Sequence, residues 1–164
     1  METKRIALGC MGMNRGNKEQ SIRTIDTAIA NGVTLLNTGE FYCNGESEMV
    51  VGEALKHHNR DDYFISVKFG ALPSLHGMYG LDMNPFNIRA HLTYSLTRLG
   101  LDYVDLYQPC RMDQIYPVED VVGEISRLVD EGLVRNIGLT DTDPERKTKW
   151  SQPPKYNRIL KFFL

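Results

Sequence analysis

No apolar run in the chain approaches the roughly 18 residues that a membrane-spanning helix requires. The stretch Met1-Glu2-Thr3-Lys4-Arg5 leads straight into Ile6-Ala7-Leu8, with neither a long apolar segment nor a small-residue cleavage site. These absences argue for a cytoplasmic protein with no membrane partner. Cysteine is scarce: Cys10, Cys43 and Cys110 are odd in number and far apart, so neither a disulfide framework nor a Cys-x-x-Cys metal or redox site is supported, and reduced thiols are expected. The histidines, His57, His58, His76 and His91, are scattered, and His57 and His58 near a helix C-terminus fit dipole interactions better than metal binding. No Walker motif occurs, and Gly9-Cys10-Met11-Gly12-Met13 does not make Gly-x-Gly-x-x-Gly, so the fingerprint of an open nucleotide-binding sheet is missing. Basic charge is concentrated late in the chain, with Arg146, Lys147, Lys149, Lys155, Arg158 and Lys161 against Glu145 alone in residues 144–164. That tail lacks a nucleic-acid-binding motif and reads as solvated, so no nucleic-acid partner is expected.

What is present is the composition of a globular domain. Apolar residues make up 41% and charged residues 24% of 164 positions, and mean hydropathy is mildly negative. A chain of this size buries about 70% of its unfolded surface, enough for one domain with its own core. Short β-branched or aromatic segments alternate with stretches of helical period. The strand candidates are Leu8 to Met13, Val33-Thr34-Leu35-Leu36, Tyr63-Phe64-Ile65-Ser66-Val67, Tyr103-Val104-Asp105-Leu106-Tyr107, and Val134 to Leu139. Between them, Ile22, Ile25 and Ile29, then Val50, Val51, Ala54 and Leu55, then Ile88, Leu92, Leu96 and Leu99, then Val121, Val122, Ile125, Leu128 and Val129 each fall on one helical face. Gly32, Gly100 and Gly132 sit where left-handed residues end helices; Asn84-Pro85, Ser47 and Pro117 mark helix starts. Four strand-helix repeats and a fifth strand predict an α/β fold with a parallel sheet, and the missing Gly-rich turn favours a (β/α)8 barrel type over an open sheet.

A barrel places its reactive groups at strand C-termini, where Asn37, Lys68, Cys110 and Thr140 fall. Tyr42 lies in the loop after the second strand and Lys68 ends the third. By residue type alone these are a loop aromatic and a solvated strand end. Held together, however, an ammonium stabilises a phenolate and makes Tyr a better proton donor near neutrality. The ordered series Asn37-Thr38-Gly39-Glu40-Phe41-Tyr42, Gly45-Glu46-Ser47-Glu48 and Ser66-Val67-Lys68-Phe69-Gly70 resembles the aldo-keto reductases. So do Arg98 to Tyr107, Pro117-Val118-Glu119-Asp120 and Gly132 to Leu139, and the likeness covers about residues 6–141.

The resemblance implies a TIM barrel and an oxidoreductase in which NADPH delivers hydride to an aldehyde or ketone while Tyr42, tuned by Lys68, protonates the carbonyl. It implies that Asn37 stands where the family commonly has an Asp paired with the Lys, able to accept a hydrogen bond from Lys68 without bringing charge. Cys110, in Tyr107-Gln108-Pro109-Cys110-Arg111, replaces the His that commonly orients the carbonyl, and a thiol is a weak donor. Thr140-Asp141 matches the pair that, with the residue at Asn37, approaches the nicotinamide. Asp102, Asp105, Arg111 and Asp113 serve either fold-supporting salt bridges or substrate. The expected organisation is a partial barrel over residues 1–143, truncated after its fifth strand, and an atypical basic tail over 144–164. NADPH binding by such a chain is expected to be weak. A non-catalytic fragment that acts through protein-protein contact, by self-association or by pairing with a homologue, is the alternative reading.

Overall fold

The computed structural model describes residues 6–112 and 115–139; Asp113, Thr140, Asp141 and the basic tail lie outside the described residues. In chain order the elements are β1 (Ala7–Gly9), α1 (Lys18–Ala30), β2 (Leu35–Gly39), α2 (Glu46–Leu55), β3 (Phe64–Phe69), β4 (Ala71–Ser74), β5 (Gly77–Leu81), α3 (Pro85–Leu99), β6 (Val104–Pro109), α4 (Val118–Asp130) and β7 (Val134–Ile137). Five strands form one parallel sheet in the order β1-β2-β3-β6-β7. The order never reverses, so the sheet has no switch point of the doubly wound kind and is the wall of a barrel. Among the described residues, no helix is long and apolar enough to cross a membrane.

Side-chain alternation divides the sheet into two faces. Leu36, Ile65, Val67, Tyr107 and Ile137 face the helices and pack with Val50, Val51, Ala54, Ile88, Leu92, Val121, Val122, Ile125 and Leu128. Each fully buried aliphatic side chain of this core contributes about 1.5–3 kcal/mol. The helical faces read from the sequence are the faces that pack, although on α1 only Ile25 is fully buried while Ile22 and Ile29 cover its flanks. On the other sheet face Leu35, Phe64 and Leu106 form a separate apolar cluster. One step along the strands the same face becomes polar with Asn37, Ser66 and Gln108. One step further it carries Lys68 and Cys110.

β2, β3 and β6 run further toward their C-terminal ends than the β-branched runs suggest, while β1 and β7 stop short of them. β2 extends to Gly39 instead of stopping at Leu36, and β6 extends to Pro109, because pairing with β3 continues past the apolar residues. β1 ends at Gly9, where Cys10 begins a turn, and β7 ends at Ile137. Gly32, Gly100 and Gly132 take φ values of +77°, +67° and +82°, the left-handed conformation expected after helices. At Gly100 a Cβ would have nothing within 4 Å. Gly100→Ala should therefore destabilise by about 1–2 kcal/mol through backbone strain alone; a loss well above that in urea unfolding would reveal a packing clash that the geometry does not contain.

One local expectation needs correcting, and one element is additional. Asn84 caps α3 as read, its Oδ1 accepting from the Phe86 N–H at 3.1 Å with Pro85 at the first helical position. Ser47, by contrast, does not start α2. The helix begins at Glu46 after Gly45, because the Ser47 hydroxyl is committed elsewhere: it donates to the Cys10 carbonyl at 2.8 Å and lies 3.2 Å from Thr38 Oγ1. The antiparallel hairpin β4–β5 was not anticipated. It is inserted between β3 and α3, carries the exposed Leu75 and Tyr79, and closes at its base through Asp82 N–H to Gly70 O at 2.7 Å.

Candidate active site

The residues with chemistry gather at the C-terminal ends of β2, β3 and β6. The turn after β2 is tight. Cys43 (φ +50°) and Asn44 (φ +54°) are both left-handed without being glycine, and such residues persist only where their surroundings hold them. The Cys43 thiol donates to Met11 O at 3.2 Å, and Asn44 N–H donates to Phe41 O at 3.1 Å. The reversal keeps Tyr42 beside the sheet while α2 departs. Register then places Gly39 opposite Lys68, and Lys68 Nζ donates to Tyr42 Oη at 3.4 Å. The contact is long for a charged donor.

Asn37 behaves differently from its expected role. Its amide does not accept from Lys68 among the described residues; Nδ2 donates to Ser66 Oγ at 3.2 Å. Register explains the change, since Asn37 lies opposite Ser66, one layer below the pair formed by Gly39 and Lys68. Gln108 Nε2 reaches the same hydroxyl at 3.3 Å, and Gln108 Oε1 is buried without a hydrogen-bond partner. A Cβ at Gly138 would stand 2.6 Å from that oxygen, so the glycine makes room for the Gln108 side chain.

Cys110 ends the third layer, its N–H donating to Phe69 O at 2.8 Å. Burial pushes its thiol up to about 11, and the Glu40 carboxylate adds to the rise against opposing hydrogen bonds from the backbone. Cys10, fully enclosed, is pushed up to about 12 for the same first reason. Both remain protonated near neutral pH, which makes Cys110 a weak donor rather than a nucleophile.

Sequence reasoning passed over Glu40, Asp82 and His91. Glu40 Oε1 accepts from the Gly70 N–H at 2.6 Å, and its Oε2 lies 3.0 Å from His91 Nδ1. His91 Nε2 lies 3.3 Å from Asp82 Oδ2. It also passed over the buried pair in which Arg98 Nε donates to Glu48 Oε2 at 2.6 Å. The sign available was position: Glu40 and Glu48 flank the Tyr42 turn in a stretch otherwise rich in small and apolar residues.

The remaining candidates separate from the site. Asp105 supports the fold: it pairs with Arg60 at 2.6 Å and accepts the Ile65 N–H at 2.8 Å, while the Arg60 guanidinium stands over the Tyr103 ring. Asp102 is exposed; Arg111, also exposed, is the exception, because it directly follows Cys110 and its charge and backbone act to lower the pKa of that thiol. His58 and His57 engage Asp26 of α1 at 2.7 and 3.4 Å. Among the described residues, no cluster of three or more His, Cys, Asp or Glu could hold a metal.

Comparison with known proteins agrees with this arrangement. The model of the Aldo/keto reductase family matches residues 5–159, which carries the likeness beyond the point where the motifs end. A Glycine max protein named "Probable aldo-keto reductase 1" is 32% identical over 149 residues, covering 88% of this chain and 43% of its own. Among solved structures, an aldo-keto reductase from Bacillus halodurans in its holo form superposes with a TM-score of 0.82 at 26% identity, over 92% of this chain and 50% of that one. An aldo-keto reductase from Klebsiella pneumoniae in complex with NADPH superposes at 0.75 with 27% identity, over 90% and 49% respectively. The chain thus spans about half the length of these relatives, and its sheet is a partial (β/α)8 barrel. Motif order, barrel wall and similarity converge: the chain belongs to the aldo/keto reductase family.

Proposed function

We propose that the chain carries the acid-catalytic part of an NADPH-linked carbonyl reductase site, which reduces an aldehyde or ketone to an alcohol. The observation that carries this reading is the Lys68 Nζ to Tyr42 Oη contact at the catalytic end of a family-matched barrel wall. Tyr42 would give its proton to the carbonyl oxygen as that oxygen gains charge, and the Lys68 ammonium would stabilise the phenolate left behind. Orientation of the oxygen would rest chiefly on Tyr42, because the Cys110 thiol is a poor second donor.

NADPH, when bound, supplies the hydride. Among the described residues, Asn37, Ser66 and Gln108 fit its nicotinamide end as an amide-rich floor with Gln108 Oε1 unpartnered; by sequence alone, Thr140 and Asp141 follow β7. For the pyrophosphate and 2′-phosphate the described residues offer no identified cationic cradle. Where two or three charge-assisted contacts, each contributing about 1.5–3 kcal/mol, are missing, affinity should be at least about 10²-fold below that of a family member that makes them. We expect no thermal protection by NADPH at micromolar concentration; saturable micromolar binding in a calorimeter would contradict this. The reaction itself is tested by NADPH consumption against a broad aldehyde panel at millimolar cofactor. Turnover no faster than buffer for every aldehyde would overturn the reading.

A further inference from the structure

We propose that Glu40 and His91 are positioning residues of this site: the buried Glu40 carboxylate, bonded to the Gly70 N–H and to a doubly protonated His91, fixes the Tyr42 turn against the strand end that carries Lys68. The inference rests on the proposed roles of Tyr42 and Lys68, but its geometry is independent of turnover. Glu40 is the first residue after β2 and stands two residues before Tyr42. Its N–H donates to Lys68 O at 3.0 Å and its Oε1 accepts from Gly70 at 2.6 Å, so one residue grips the chain on both sides of Phe69. Gly70 is suited to the grip, because at φ +88° it turns the chain while leaving no Cβ to strike Met83, which lies 1.9 Å from where one would be.

The second Glu40 oxygen and Asp82 both face the His91 ring, one at each nitrogen. Two ionised carboxylates are acceptors only, so both ring nitrogens have to carry hydrogen; a neutral ring would set one lone pair against a carboxylate. The surroundings support an imidazolium. Glu40 faces it from the end of β2 and Asp82 from the segment after β5, while β3 offers the Phe69 ring at 6.2 Å, behind which Tyr107 of β6 stacks. On α3 itself the other charged residues, Arg89 and Arg98, are paired with Glu131 and Glu48. Asp82 is fixed in turn by Asn84 N–H and Asn87 Nδ2 at 3.0 and 2.8 Å. Burial alone would lower the pKa of His91, but its bonds to Glu40 and Asp82 outweigh burial and hold it above the ordinary value of 6.5.

The sign of the pH dependence follows. With the folded His91 value raised, the staple is fully formed below about 6.5 and is lost as pH rises through the raised value. Asp82 bounds it on the acid side: burial works to raise its pKa, but hydrogen bonds from Asn84, Asn87 and His91 bring it below 3.8, so its contribution is lost only as pH falls through that lowered value.

The test is nitrogen-detected NMR of the His91 ring together with amide exchange, corrected for intrinsic rate, at Glu40, Asn44 and Gly70, with the α4 amides of Ile125 and Leu128 as reference. In the unaltered chain we expect two protonated ring nitrogens near neutral pH and a loss of protection at the three amides that tracks His91 deprotonation while α4 is unaffected. His91→Gln should lower their protection by about ten- to a hundredfold and remove the pH dependence, and Glu40→Gln should do the same at Gly70. Where turnover is measurable, His91→Gln should lower kcat with KM unchanged and abolish the alkaline limb. A neutral His91 ring near neutral pH overturns the proposal, as does unchanged protection in a folded His91→Gln chain. Absence of carbonyl reduction in the unaltered chain would overturn the functional reading alone, leaving the ring and exchange measurements to decide this one.

Discussion

Replacing Tyr42 with Phe should lower NADPH-dependent carbonyl reduction by about 10²–10⁴-fold while leaving the fold intact, the range that a positioned proton donor contributes. The substitution removes one oxygen and little else. Within the described residues the Tyr42 hydroxyl is bonded by Lys68 Nζ alone, and the ring's edge contact with Phe41, centroids 4.9 Å apart, is open to Phe as well. The turn is held by the main chain, by Cys43 and by the contacts of Glu40 with Gly70 and His91, not by the phenol. Lys68→Met should follow the same direction, because an uncharged neighbour no longer stabilises the phenolate. The check is kcat measured against the aldehyde that the unaltered chain reduces fastest, alongside urea unfolding to establish equal stability. Equal kcat in the Tyr42→Phe and unaltered chains would remove Tyr42 from the reaction and point to water or another group as the acid.

Much of this arrangement was legible in the sequence because it is periodic or local. The helical faces on α2, α3 and α4 follow the 3.6-residue repeat, and Gly32, Gly100 and Gly132 stand where the chain has to turn left-handed. Tyr42 and Lys68 could be brought together on paper because strand ends in a barrel converge. What stayed hidden depends on register and on partners distant in sequence. The role of Asn37 turned on which residue lies across from it, and an Asn opposite Ser66 reaches a hydroxyl one layer below the ammonium it was expected to meet. Glu40 and His91 are 51 positions apart, and an isolated histidine on a helix carries no mark of its partners. The hairpin Ala71 to Leu81 has turn residues in Pro73 and Gly77, but most of its side chains are exposed, so it lacks the alternating burial that identifies a strand. Ser47 has the composition of a helix cap, and only the proximity of Cys10 and Thr38 redirects its hydroxyl.

Arg98→Met should destabilise the chain by about 3–5 kcal/mol near neutral pH, the loss typical when one member of a buried ion pair is removed. Glu48 is wholly buried beneath α3, and the Arg98 guanidinium, one quarter exposed, bonds one of its oxygens. The other oxygen, like the nearby Ser95 hydroxyl, already lacks a well-formed hydrogen bond. Burial pushes the Glu48 carboxyl up, and Arg98 is the foremost influence pulling it back. Without the arginine, the rise that burial imposes on the carboxyl loses its main opposing influence. The folded value of this acid then lies further above the unfolded one, so the deficit of the variant should shrink as pH falls through the folded value. Arg98 also packs at 3.2 Å from where a Cβ of Gly45 would lie, so its loss loosens the end of the Tyr42 turn as well as the α2–α3 contact. Restoring neutrality tests the cause: Glu48→Leu combined with Arg98→Met should recover most of the loss, because an apolar pair of similar volume carries no unpaired charge. Urea unfolding of the single and double variants, near neutral and at mildly acidic pH, measures both effects. A single variant within about 1 kcal/mol of the unaltered chain, or a double variant no better than the single, would mean that packing of the Arg98 stem, not charge compensation, is what this contact supplies.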